Sequence, residues 1–466
     1  MQKWWKETIV YQIYPKSFMD SNGDGIGDLR GILSRLDYLQ ELGVDVLWLC
    51  PIFPSPNEDN GYDISDYQAI MADFGTMADF DELLAEVHRR GMKLILDLVI
   101  NHTSDEHPWF LESRSSKDSP KRDWYIWRAG KNGAEPNNWE SIFGGSAWEY
   151  DETTGEYYMH LFTRKQPDLN WENEEVRREL YRMINWWLDR GVDGFRVDAI
   201  THIKKKPGLP DLPNPDNLPY VPSYPYHMNV EGILDHLAEL KRETFDRYDI
   251  MTVGEANGVS AEEAEAWVGE NNGVFNMIFQ FETNGLWNFS AGGKPDWLAY
   301  KRAITRWQTG LEGRGWNALY FENHDLPRSV SVWGEDGRYR EKSAKALATL
   351  YFLMKGTPFI YQGQELGMTN VRFPSIEDYD DVPCIQKYWK DRGEGLSHEE
   401  AMAPIWRNGR DNARTPMQWN AGPNAGFTTG TPWLKVNPNH AEINVEEQLG
   451  RPDSVFRYYQ KLIRLR

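Results

Sequence analysis

Short apolar runs alternate with stretches of helical period along most of the chain. Runs at 9–14, 44–49, 93–99, 194–197, 250–253, 274–279, 318–321 and 358–361 predict eight strands. Apolar positions three and four apart predict helices over 33–42, 81–90, 175–190, 230–248, 261–268, 296–309, 341–354 and 454–466. Gly43 and Gly91 stand where the first two of these should stop. The third run, Leu94-Ile95-Leu96-Asp97-Leu98-Val99, is almost continuously apolar, as a strand covered on both faces requires. Strand–helix alternation predicts an α/β fold with a parallel sheet, and eight repeats favour a closed (β/α)8 TIM barrel over an open sheet. No glycine-rich loop follows the first run, which argues against a dinucleotide fold.

Two intervals are too long for simple connections. The first, after strand three, is rich in Trp, Gly and Ser and holds a strand-like piece at 157–162, which predicts an inserted subdomain over 104–170. The second follows strand eight, over about 364–452, and is polar with scattered prolines. The expected division is barrel at 1–103, insert at 104–170 and barrel again at 171–466. A shorter interval, 207–225, carries seven prolines in nineteen residues; it should form no helix and should act as a stiff rim or lid.

Composition narrows the function. The 466 residues are 40% hydrophobic and 26% charged, an ordinary globular balance, with a formal net charge of −20 that opposes nucleic-acid binding. No run reaches the roughly 18 apolar residues of a membrane helix, and the first residues form no leader, so a cytoplasmic protein is expected. Cys50 and Cys384 read as buried thiols of a reducing compartment. Aromatic residues reach 14%, with 21 Trp, beside many Asp and Asn. That mixture suits sugar binding, and it also suits large aromatic cores.

Carboxylates stand where the apolar runs stop. Asp97 lies in strand three with Asn101-His102 beyond it; Asp198 ends strand four, Glu255 ends strand five, and Asn323-His324-Asp325 follows strand seven. One such residue alone reads equally well as a helix cap or half of an ion pair. Three from different strands of one barrel should converge on its mouth, a costly arrangement unless chemistry uses it. Paired carboxylates cleave glycosidic bonds, one as ionised nucleophile and one as protonated acid. Arg196 shares a strand face with Asp198 and should keep it ionised, whereas Glu255 follows an apolar run with no basic neighbour in sequence. This predicts Asp198 as nucleophile and Glu255 as acid/base. His102 and His324 suit hydrogen bonds to sugar hydroxyls, since closely spaced metal-ligand partners are missing around them.

These residues carry a resemblance. Asp97-Leu98-Val99-Ile100-Asn101-His102, Gly194-Phe195-Arg196-Val197-Asp198, Gly254-Glu255 and Phe321-Glu322-Asn323-His324-Asp325 resemble the four signature regions of the α-amylase superfamily, glycoside hydrolase family 13. Gln166-Pro167-Asp168-Leu169-Asn170, Asn60-Gly61-Tyr62-Asp63-Ile64 and Arg410-Asp411-Asn412-Ala413-Arg414-Thr415-Pro416 resemble its oligo-1,6-glucosidase and α-glucosidase branch, as do Trp4-Trp5-Lys6 and Val10-Tyr11-Gln12-Ile13-Tyr14-Pro15. The resemblance implies an exo-acting, retaining α-glucosidase that takes glucose from the non-reducing end of short oligosaccharides or disaccharides. It implies Asp325 as transition-state stabiliser, Tyr62 stacking on the terminal glucose, and Asp59 with Arg410 clasping its far hydroxyls; Arg414 is the weaker candidate for that clasp. A retaining pair should hold its carboxyls about 5–5.5 Å apart.

Within the branch the residue after the nucleophile tracks linkage, valine with α-1,6 and a smaller residue with α-1,4; Ala199 therefore leads to an expected α-1,4, maltose-type preference. Oligo-1,6-glucosidase and trehalose-6-phosphate hydrolase are the alternatives, and Lys204-Lys205-Lys206 could meet a phosphate, though a solvated charge run is the plainer expectation. The sucrose-isomerase motif Arg-Leu-Asp-Arg-Asp is missing. A different class, a non-catalytic barrel subunit, should lack some of the carboxylates and carry a membrane span; a metal hydrolase built on Asp97, His102 and His324 should lose activity to a chelator. Asp20-Ser21-Asn22-Gly23-Asp24-Gly25-Ile26-Gly27-Asp28 alternates oxygen side chains as a calcium loop does, or as an Asx-rich turn does without metal. The resemblance implies structural Ca²⁺ held by Asp20, Asn22, Asp24, the Ile26 carbonyl and Asp28, with no organic cofactor. The family's C-terminal β-sandwich is not expected within these residues, and a monomer or weak homo-oligomer is expected.

Overall fold

The computed structural model describes residues 3–287 and 295–466. Eight strands form one sheet: β1 (Val10–Ile13), β2 (Val46–Leu49), β3 (Lys93–Val99), β4 (Gly194–Asp198), β5 (Met251–Ala256), β6 (Met277–Gln280), β7 (Ala318–Leu319) and β8 (Thr357–Tyr361). Their order is β6-β5-β4-β3-β2-β1-β8-β7, so strands consecutive in sequence pair from β1 to β6, β7 pairs with β8 and β8 returns to β1, as in a (β/α)8 barrel. The pairings are parallel. β1, β2 and β8 are buried along their whole length, which is why they read as mostly apolar runs, broken in β1 by Gln12.

Helix ends depart from expectation for local reasons. The helix expected over 33–42 is two, Leu29–Ser34 and Leu36–Leu42, separated at Arg35, whose φ of −113° and ψ of 8° are not helical. Asp28 caps the first through the Gly31 N–H, and left-handed Gly43 ends the second. The next helix, Met77–Arg89, starts before residue 81 because Thr76 and Asp79 close a reciprocal capping box. The helix expected over 230–248 is Ile233–Glu243, and the Thr244 hydroxyl turns back to the Leu240 carbonyl at its end. β6 begins at Met277, later than expected.

The chain divides into two compact units, Met1–Cys50 with Ala72–Leu96 and Glu282–Arg466, and Pro51–Met71 with Asp97–Phe281. These boundaries differ from the expected ones: β3 contributes Lys93–Leu96 to the first unit and its C-terminal end to the second. In the second unit an antiparallel sheet joins Trp127–Arg128, Glu156–Met159 and Trp148–Asp151. The proline-rich segment is no free rim. Val221–Pro222 pairs with Trp139–Glu140, and Leu212 is buried with Trp139, Trp148 and Met159. Carbonyls that prolines leave without a ladder accept side-chain donors: Trp139 Nε1 reaches Pro210 at 2.8 Å, and Asn138 reaches Leu212 at 2.8 Å. No helix crosses 207–222, but Pro225 does enter a short one, Tyr224–His227, at a first-turn position that needs no N–H.

In the first unit, the interval after β8 is a helical layer with its own core. Val382–Gly393 and His398–Asn408 pack around Phe373, Tyr379, Met402, Ile405 and Leu434. Among the described residues no helix is long and apolar enough to cross a membrane.

Candidate active site

In the second unit, Arg196 and Asp198 are two residues apart on β4 and share a face. The β4–β5 register, Arg196 opposite Val253 and Val197 opposite Gly254, brings Glu255 level with Asp198. The Arg196 guanidinium then holds three carboxylates: Asp97 at 2.9 Å, Asp198 at 2.6 Å and Glu255 at 2.9 Å. Its side chain is 2% exposed, while those of Asp198 and Glu255 keep 11% and 15%. Burial alone would lower the Arg196 pKa, but Asp97, Glu255 and Asp198 together raise it well above its usual value. Burial pushes Asp97 up to about 6 against the pull of Arg196.

This corrects the expected electrostatic sorting. Arg196 does not serve Asp198 alone; Glu255 has a basic neighbour across the sheet, which strand pairing supplies and linear sequence hides. The other Glu255 oxygen accepts the Ala199 N–H at 2.8 Å. Ala199 stands in the left-handed region, with φ 44°.

The 59–63 turn is built from its sequence. Asn60 and Gly61 take φ of 48° and 100°, a backbone that asparagine tolerates and glycine adopts freely. The Asp63 carboxylate accepts the N–H groups of Glu58 and Asp59. Tyr62 thereby points its hydroxyl at Asp97, 3.0 Å away, with its ring centre 5.9 Å from the Arg196 guanidinium. Asp59 accepts from Gln166 Nε2 at 3.2 Å. Burial lowers His102 to about 4, so its ring is neutral at pH 7. Nε2–H donates to the Tyr62 carbonyl at 3.1 Å, which leaves Nδ1 to accept from Asn101 at 3.1 Å. Both His102 nitrogens thus have protein partners.

In the first unit, Asp325 collects His324 Nε2 at 3.2 Å, Arg410 Nη1 at 3.2 Å and Arg414 Nη2 at 2.8 Å. Gln12 donates to His324 Nδ1 at 2.8 Å, fixing Nε2 as the protonated nitrogen. Arg410 also grips Asp381 through Nε and Nη2 at 2.9 and 2.8 Å. Burial would raise Asp381, but Arg410 and then Arg414 hold its carboxyl below the usual range. Arg414 is fully buried and donates Nε–H to the His324 carbonyl at 2.9 Å, so Arg410 and Arg414 both contact Asp325.

Sequence reasoning missed Asp381, which stands at the N-terminal boundary of a helix in an interval read as polar loop. It also misjudged the lysine run. Lys205 is buried, 2.6 Å from Asp168 and 3.2 Å from Asn101; Lys204 pairs with Glu172 at 2.6 Å, and Lys206 lies over Tyr226 at 4.1 Å. Only Lys206 is exposed; Lys205 is buried and Lys204 is half-buried and paired, so the three are not a solvated row. The signal was Asp168 within the Gln166–Asn170 motif, an acid that needs a buried cation.

In the 20–28 loop, Asp20 accepts the N–H groups of Asn22, Gly23 and Gly25. Asp24 accepts Ile26 N–H, and Asp28 serves Ser21 and caps a helix. The donors are the hard oxygens calcium prefers, but among the described residues no three His, Cys, Asp or Glu gather as metal ligands do.

The α-amylase catalytic-domain family model matches residues 12–466. A "probable oligo-1,6-glucosidase 3" of Bacillus subtilis (strain 168) is 66% identical over 463 residues, covering 99% of this chain and 84% of the relative. An oligo-1,6-glucosidase of Parageobacillus thermoglucosidasius is 60% identical over 99% of this chain and 83% of its own. The crystal structure of a trehalose-6-phosphate hydrolase from Bacillus licheniformis superposes with a TM-score of 0.93 at 48% identity, covering 100% of this chain and 84% of that one.

Proposed function

Because the chain belongs to the α-amylase family of glycoside hydrolases, we propose that it is a retaining, exo-acting α-glucosidase whose preferred substrates are short α-1,6-linked glucosides. One observation carries the chemistry: Arg196 ties together two partly open carboxylates, Asp198 and Glu255, from adjacent strand ends. Asp198 attacks the anomeric carbon while Glu255 gives its proton to the glycosidic oxygen; the bond to the departing sugar breaks and a glucosyl–Asp198 ester forms. Water then surrenders a proton to Glu255 and displaces Asp198, releasing glucose with its configuration retained. Arg196 orients both groups, and Tyr62 offers a ring face to the sugar. Asp325, steadied by His324, Arg410 and Arg414, is the group proposed to hold sugar hydroxyls. His102 acts through the Tyr62 carbonyl.

The α-1,4 expectation gives way to α-1,6, because the relatives at 66% and 60% identity bear the 1,6 name. Ala199 departs from the valine that accompanies α-1,6 cleavage in the branch, so on this reading that position alone does not set the linkage. Product analysis on isomaltose, maltose and trehalose-6-phosphate tests the reading. Isomaltose turnover should lead by about tenfold in kcat/KM, a difference of one to two kcal/mol in transition-state binding. Faster maltose hydrolysis would restore the α-1,4 reading, and cleavage confined to trehalose-6-phosphate would replace both.

The proposal extends to calcium in the 20–28 loop, supported by its all-oxygen donor set. A chelator should lower Tm and leave the initial rate on isomaltose unchanged; an unaltered Tm after exhaustive chelation and calcium back-titration would remove the metal from this account.

A further inference from the structure

We propose that Arg328 is a positioning residue that fixes Asp325 against Arg414 by clamping together the two chain segments that carry them. The inference rests on the glucosidase reading for its activity measurement, and on first-unit geometry for its argument. Arg328 follows Asp325 by three residues and its side chain is 0% exposed. Nη1 donates to the Gln362 carbonyl at 2.8 Å and to Glu322 Oε2 at 3.3 Å; Nη2 donates to the Ala413 carbonyl at 3.2 Å. Glu322 lies three residues before Asp325, and Ala413 immediately precedes Arg414. One planar fork thus reaches both sides of the Asp325–Arg414 pair without touching either side chain.

Each anchor is itself held. Glu322 Oε1 accepts the Ser329 N–H at 2.8 Å and also the Ser329 hydroxyl. The Tyr361 hydroxyl donates to the same Ala413 carbonyl at 2.7 Å, and its ring centre lies 5.1 Å from the Arg328 guanidinium. The Arg328 N–H donates to Asn370 Oδ1 at 2.8 Å. Only a fork with several fixed N–H directions can serve a carboxylate and two carbonyls at once; an ammonium on a flexible stem cannot keep all three. Asp325 leaves 35% of its side chain exposed and pairs with Arg414, so the register of that pair depends on what holds the two backbone segments together.

A double-mutant cycle tests this, using kcat/KM on 4-nitrophenyl α-glucoside for wild type, Arg328→Lys, Asp325→Asn and the pair. Arg328→Lys should lower kcat/KM by about 10²-fold in the wild-type background, the scale of a misplacement near 1 Å. In the Asp325→Asn background the same change should cost no more than about twofold, because the group being positioned is already lost. Equal losses in both backgrounds would reduce Arg328 to a general stabiliser and overturn the proposal. Should Arg328→Lys fail to fold, the Arg328→Gln/Glu322→Gln pair removes both buried charges together and enters the same cycle with the same two outcomes. A wild type that cleaves no α-glucoside overturns the functional reading and this inference together; an active wild type with equal losses overturns this inference alone.

Discussion

Two clusters of acids and guanidinium groups invite comparison. In the second unit one arginine, Arg196, serves three carboxylates. In the first unit two arginines, Arg410 and Arg414, converge on one carboxylate, Asp325, with Asp381 behind Arg410. The first arrangement is short of positive charge. It leaves acids that a substrate turning cationic at its anomeric carbon would complete, as the proposed double displacement requires. The second is rich in donors, and it fixes the direction of Asp325, the carboxylate proposed to hold rather than react.

The largest effects should come from breaking the cation-poor cluster. Asp198→Asn and Glu255→Gln should each lower kcat/KM on an α-glucoside by about 10⁴-fold or more. Both should leave the circular dichroism spectrum unchanged. Residual activity within tenfold of wild type in either variant would mean that the reacting acids lie elsewhere.

Stability should separate the two clusters next. Arg196→Met leaves three acids around a vacated, fully buried site and should destabilise by about 3–5 kcal/mol in urea unfolding. Arg410→Met takes the main partner from Asp381, whose side chain is 1% exposed, while Arg414 still reaches Asp325 and still pulls on Asp381; about 2 kcal/mol is expected. Equal losses would erase the proposed difference between the clusters.

Acid should act on the second unit through its buried histidines. Burial holds His102 and His202, both in the second unit, at about 4 against an ordinary 6.5. Above pH 6.5 these rings are neutral whether folded or unfolded. As pH falls from 6.5 toward 4 the unfolded chain binds protons that the folded chain refuses, so stability declines. At pH 4.5 each should have lost roughly 2–3 kcal/mol relative to pH 7. Urea midpoints at the two pH values measure this, and replacing His202 by Asn should remove that residue's share and leave His102's. A midpoint that is the same at pH 7 and pH 4.5 would mean that these histidines are not held neutral.

Much of the barrel was legible because its strands are buried on both faces, which leaves little choice of residue: the run at 93–99 is the strand Lys93–Val99, and 194–197 lies within Gly194–Asp198. The strand-end carboxylates were legible for the same reason, as acids where apolar runs stop. What escaped depends on partners distant in sequence. Lys205 reads as one of a charged row until Asp168 is brought to it, and Glu255 reads as isolated until β4 pairs with β5. The proline-rich segment looks like a free edge until Leu212 is found buried with Trp139. The helical layer after β8 had a local signal that went unread: Ser397 and Glu400 form a capping box ahead of His398–Asn408.

The proposed roles to test are those of Asp198 as nucleophile and Glu255 as acid/base on one anomeric carbon. Proton NMR of the first glucose released from 4-nitrophenyl α-glucoside, recorded before mutarotation, reads the outcome directly. The α-anomer appearing first is the predicted result; the β-anomer appearing first would contradict double displacement.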